Sequence, residues 1–189
     1  MLLSWFKVFN LASFYMRLFL FSVALNYQKQ DRKCFLNDAQ FSQNGGCGYV
    51  LKPEYLTRPN PNYSPLKIPS NIELNPRLLY ITIISGQHIP KGNKDSIAAP
   101  YVKLKILGHN DEKETRQLST IVSKNGFNPF WNETFYFFIK APDLAFLQLT
   151  VKDKQNLSVR LREKMKSDPD VGSFVCPINL LHQGKSKTQ

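Results

Sequence analysis

Cysteine is scarce, and its three residues, Cys34, Cys47 and Cys176, include no pair at C-x-x-C spacing. That excludes a disulfide framework and leaves a reducing compartment as the default. Acidic residues are also few, 14 against 25 basic, so the net charge is +11 and the expected partner is anionic. No uncharged apolar run approaches the ~20 residues that span a bilayer; the longest are Val8–Met16 and Leu18–Leu25. At 189 residues the chain is too short for a complete (β/α)₈ barrel, which needs roughly 200 or more. The glycine cluster Asn44-Gly-Gly-Cys-Gly48 lacks the spacing of a phosphate loop. The charged fraction of 21% with 13% aromatics excludes a wholly disordered chain.

Composition divides what is present. Residues 1–25 are apolar and aromatic but interrupted by Lys7, Asn10 and Arg17. A secretory leader would place its positive charge ahead of the apolar stretch, and here it lies within it. An interfacial anchor is a second reading. Buried barrel-type structure, or sequence from an alternative start, is the reading adopted. Thr57–Pro76 carries five prolines among Asn and Ser and is expected to be an extended linker.

From Arg77 onward the period is two. Leu79–Ile84 is β-branched and apolar, and Tyr101–Leu107 alternates, with Val102, Leu104 and Ile106 on one face and Tyr101, Lys103 and Lys105 on the other. Gln117–Ser123, Glu133–Ile139, Phe146–Lys152 and Val171–Val175 are further candidate strands, and Val159–Lys166 a candidate short helix. Trp131, Phe135, Phe137 and Ile139 share a face suited to a core, while Phe130, Tyr136 and Phe138 lie opposite. Short strands separated by Gly, Pro and Asn predict an antiparallel β-sandwich of about six strands.

Two sets of residues carry a family resemblance. Val23-Ala-Leu-Asn-Tyr-Gln28 followed by Asn44-Gly-Gly-Cys-Gly-Tyr-Val-Leu-Lys-Pro53 resembles the last strands of the catalytic barrel's Y half in eukaryotic phosphoinositide-specific phospholipase C, closest to the delta-like group. Ile84-Ser-Gly-Gln-His-Ile-Pro90, Ala99-Pro-Tyr-Val102, Asn125-Gly-Phe-Asn-Pro-Phe-Trp-Asn-Glu-Thr-Phe135 and Ala141-Pro-Asp-Leu-Ala145 resemble that family's C2 domain. The expected organisation is an apolar segment unlike the family (1–22), the end of the Y region (23–56), the linker (57–76), a C2 domain of mainly β class (77–184) and a tail (185–189).

The resemblance implies a parent reaction, hydrolysis of phosphatidylinositol 4,5-bisphosphate to inositol trisphosphate and diacylglycerol in signal transduction. It implies Ca²⁺ as the parent's cofactor and a cytoplasmic, membrane-peripheral location. That chemistry uses two histidines and carboxylate-held Ca²⁺ in the X half, because imidazole exchanges protons near neutral pH and the metal stabilises phosphate charge. His88, His109 and His182 all lie in or after the C2-like region, so no catalytic position maps onto this chain. The C2 metal site is degenerate by the same comparison. Ala99 stands where an Asp is expected, Lys124 where an Asn is expected, and the Asp-x-Asp loop reads Asp153-Lys154-Gln155. Asp153 and Asp170 are the candidate metal ligands, with Asp95 and Asp168 nearby, and weak or absent Ca²⁺ binding is expected.

The stretch 152–166 holds Lys152, Lys154, Arg160, Arg162, Lys164 and Lys166 against Asp153 and Glu163, with Leu157, Val159, Leu161 and Met165 interleaved. At a membrane-facing end this would attract anionic phosphoinositide lipid, each basic group contributing ~1 kcal/mol. A solvated surface loop is the competing reading. No recognised module supports nucleic-acid binding. The leading expectation is the Y-end-plus-C2 portion of a phospholipase C, docking to membrane and inactive alone, beside the parent's upstream barrel half where that is present. The alternative is a stand-alone, Ca²⁺-independent C2 module binding anionic lipid or protein. Anchoring through residues 1–25 is a third.

Overall fold

Alternating apolar residues at period two put one face of each strand into a shared core. In the computed structural model the described residues are 27–28, 32–53, 75–91, 98–108, 115–117, 126–154 and 168–184. They form helix α1 (Arg32–Ser42) and strands β1 (Arg77–Ser85), β2 (Pro100–Leu107), β3 (Thr115–Gln117), β4 (Phe130–Ile139), β5 (Phe146–Asp153) and β6 (Asp170–Pro177). Single 3₁₀ turns follow β4 (Pro142–Leu144) and β6 (Ile178–Leu180).

Two antiparallel sheets result, β1-β4 and β3-β2-β5-β6. Their inner faces meet in one core. Val102, Leu104 and Ile106 from β2 and Leu147 from β5 pack with Trp131, Phe137 and Ile139 from β4. Burial along β4 alternates as its sequence requires: Trp131, Phe137 and Ile139 are buried, while Phe130, Tyr136 and Phe138 are exposed. The expected division of the two faces of β4 is therefore observed. Tyr101 departs from expectation. It lies on the opposite face from Val102 yet is buried. Trp131 closes the core with its indole N–H lacking a partner among the described residues.

The sandwich agrees with the antiparallel, mainly β class read from the sequence. Between the two stretches likened to the last barrel strands the described residues form α1, followed by a turn through Gly45 and Gly46 and irregular chain to Pro53. α1 lays Ala39, with Phe35 and Leu36, against Phe146, Val175 and Leu107 on the outer face of the larger sheet. The weaker strand expected at 117–123 is represented only by β3, ending at Gln117, and 118–123 lies outside the described residues, as does the candidate helix 159–166.

Candidate functional site

The topology carries three connections to one end of the sandwich: β1–β2, β3–β4 and β5–β6. Their described roots interlock through backbone bonds. Gly86 donates its N–H to the Pro129 carbonyl at 2.9 Å, and Ile89 donates to Phe127 at 2.9 Å. The His88 amide donates to Asn128 Oδ1 at 3.0 Å, and its ring meets the Phe127 ring edge-on at 5.1 Å. Gly126 passes so close to the first connection that a Cβ there would lie 2.1 Å from the Ala98 carbonyl oxygen.

The described carboxylates at this end have partners within the protein. Asp153 is 1% exposed and accepts the Ala99 N–H at 2.8 Å. The adjacent Lys154 N–H returns a bond to the Ala99 carbonyl at 3.0 Å, and the Asp153 N–H reaches Pro169 at 3.2 Å. Asp170 pairs with Lys152 at 2.5 Å. Lys152 Nζ also donates to the Asp168 carbonyl at 3.0 Å, and the Tyr101 hydroxyl donates to Asp168 Oδ2 at 3.0 Å. A register shift between Val151 and Lys152 sets Lys152 opposite Asp170 across β5 and β6.

Of the two carboxylates considered as metal ligands, Asp153 holds a backbone amide and Asp170 a lysine. Among the described residues no group of three His, Cys, Asp or Glu side chains converges on a metal position. Of the six basic residues expected to face lipid, Lys152 has a side chain only 13% exposed and spent on Asp168 and Asp170. Lys154 is exposed beside it. Arg160, Arg162, Lys164 and Lys166 lie outside the described residues, as do Asp95, Lys124 and His109. His88 is exposed at the loop roots, and His182 is exposed after β6.

The Lys152 network was not readable from spacing, because cross-strand partners depend on register. The contact of Gly126 with Ala98 carried only a turn signal, Asn125-Gly126. Chemically, this end is a set of pinned loop roots that can present a charged loop. Its described residues assemble no nucleophile–base pair.

Sandwich topology and loop end together define the class. The family model described as "C2 domain" matches residues 77–189, and the chain belongs to the C2 domain family. A second model, "Phosphatidylinositol-specific phospholipase C, Y domain", matches residues 16–55, ahead of the C2 match, so the chain is similar to phosphoinositide-specific phospholipases C. It is 37% identical over 164 residues to human 1-phosphatidylinositol 4,5-bisphosphate phosphodiesterase delta-1, covering 86% of this chain and 20% of the relative. It is 34% identical over 163 residues to the gamma-type enzyme plc-3 of Caenorhabditis elegans, covering 86% and 11% respectively. The structure of S. officinalis PLC21 shares the fold at a TM-score of 0.64 and 23% identity, covering 88% of this chain and 20% of that one. The chain therefore spans about a tenth to a fifth of the length of the curated relatives it matches. Among the described residues no helix is long and apolar enough to cross a membrane.

Proposed function

We propose that this chain is the membrane-docking portion of a phosphoinositide phospholipase C, and that it holds an anionic bilayer by charge without performing hydrolysis itself. The parent reaction is cleavage of phosphatidylinositol 4,5-bisphosphate, the substrate in the names of its relatives. The observation that carries the docking role is the pinned base of the β5–β6 connection. Lys152 ties its root to Asp168 and Asp170, and Asp153 ties the same root to Ala99. Between these roots runs sequence bearing Lys154, Arg160, Arg162, Lys164 and Lys166 against Glu163. Lys152 serves as the anchor of that loop in this reading, and the other five meet lipid phosphate.

Calcium belongs to the chemistry of the two families, and C2 domains that bind it use several oxygen ligands. Here the best-placed carboxylates already satisfy an amide and an ammonium, which favours docking that does not depend on the metal. The catalytic histidines and metal cage of the parent have no counterpart in the residues of this chain, and catalysis belongs to an upstream barrel half.

Co-sedimentation with phosphatidylcholine vesicles, with and without phosphatidylserine, tests the reading. Binding should require the anionic lipid, survive chelator and weaken with salt. Binding abolished by chelator would overturn Ca²⁺ independence. Release of inositol trisphosphate by the purified chain would overturn the absence of catalysis.

A further inference from the structure

The sandwich has two outer faces, and the chain treats them differently. On the larger sheet, the apolar patch of Phe146, Val175 and Leu107 is covered by α1. On the smaller sheet, the outward side chains of β1 and β4 remain in water. Leu78, Tyr80, Ile84, Phe130, Tyr136 and Phe138 are each 40–66% exposed. They form one surface rather than scattered residues, because the register sets Leu78 opposite Phe138 and Tyr80 opposite Tyr136. Exposed apolar patches of this continuity mark docking surfaces.

Three features indicate what docks. The centre of the face is Thr82 opposite Thr134, whose hydroxyls share one hydrogen bond at 2.8 Å, which lowers their demand for water. The face carries no carboxylate: Glu133, the sole acidic residue of the two strands, sits opposite Ile83 on the side turned to the core. Lys140, one residue past β4 at the far end of this face, is basic and exposed, whereas Arg77 lies opposite Ile139 on the other side of the sheet. Rings with wet phenolic tips, beside basic charge, suit the headgroup level of an anionic bilayer. At the opposite end Phe130 adjoins Phe127, 52% exposed in the β3–β4 connection, so the face runs on into the loop end.

We infer that the outer face of β1–β4 is a second lipid-contact surface, and that the module lies on an anionic bilayer on this aromatic side as well as on its loop end. The inference rests on the docking reading above and adds the orientation. Loop charges draw the protein to the surface, and the rings of Tyr80, Tyr136 and Phe138 hold it there through apolar burial.

The full chain, in chelator, is sedimented with phosphatidylcholine–phosphatidylserine vesicles beside two variants. Tyr80→Ser with Tyr136→Ser should lower the partition coefficient by about tenfold or more, the scale set by ring burial, while an unchanged urea-unfolding midpoint reports that the core is intact. Phe138→Trp should be quenched by lipids brominated on the acyl chains, beyond the quenching of the wild-type chain. Wild-type pelleting with an unquenched Trp at position 138, or with an unchanged partition coefficient for a folded double variant, overturns this inference and leaves loop docking standing. Failure of the wild-type chain to pellet overturns both. Should the double variant unfold, the tryptophan variant decides alone.

Discussion

The Asp153 carboxylate lies 2.8 Å from the Ala99 amide nitrogen and accepts its N–H in a site with almost no solvent access. It joins the end of β5 to the residue before β2. The side chain thereby acts as a structural acceptor between two connections. Asp153→Ala should destabilise the fold by about 1–3 kcal/mol, since it orphans a part-buried amide. Asp153→Asn retains an acceptor and should cost less. Urea unfolding of the two variants checks the order.

Calcium should leave stability nearly unchanged. A ligand at its own Kd adds only about 0.4 kcal/mol by mass action. With 1 mM Ca²⁺ against chelator, the unfolding free energy should rise by no more than that. A larger stabilisation would restore a metal role to the loop end.

Gly126→Ala should be costly although alanine is small. The new Cβ would meet the Ala98 carbonyl oxygen at 2.1 Å, and backbone cannot turn aside as a flexible side chain can. A loss of about 1–3 kcal/mol is expected, the range of overpacking. Thermal or denaturant unfolding measures it.

Neighbouring phenylalanines should behave oppositely. Phe137 is fully buried, and Phe137→Ala should cost about 3–5 kcal/mol. Phe138 points to solvent, and Phe138→Ser should stay within about 0.5 kcal/mol. Equal effects would contradict the two-sided character of β4.

Burial pushes the Cys176 thiol up to about 11 from an ordinary 9.0. The folded state therefore favours the protonated form. Its contribution is fully present below pH ~9 and is lost as pH rises through ~11. Cys176→Ala should lose less stability than wild type across that window. At neutral pH a thiol reagent should label Cys47, which is exposed, well before Cys176 or Cys34, which are buried.

Much of the sandwich was legible because strand burial follows a period of two. Val102, Leu104 and Ile106, and the two faces of β4, could be assigned from alternation alone. α1 could not: its apolar residues Cys34, Phe35, Leu36 and Ala39 sit among polar neighbours, and its stripe matters only once Phe146 and Val175 present a surface. Alternation gives the face of Tyr101 but not its burial, which comes with the contact to Asp168, just ahead of β6. The loop-end chemistry was the least legible part. Lys152 reads as one member of a basic run, and only the β5–β6 register shift reveals that its charge is already answered.

The seating of α1 on β5 and β6 means that two regions matched by separate families are mechanically one body. A single peptide cleavage anywhere between Pro53 and Asn75 would leave the helix clasped by Phe146 and Val175, and both pieces should elute together from a sizing column. Removing the helix outright would instead bare a greasy flank, trading a tidy boundary for a sticky one.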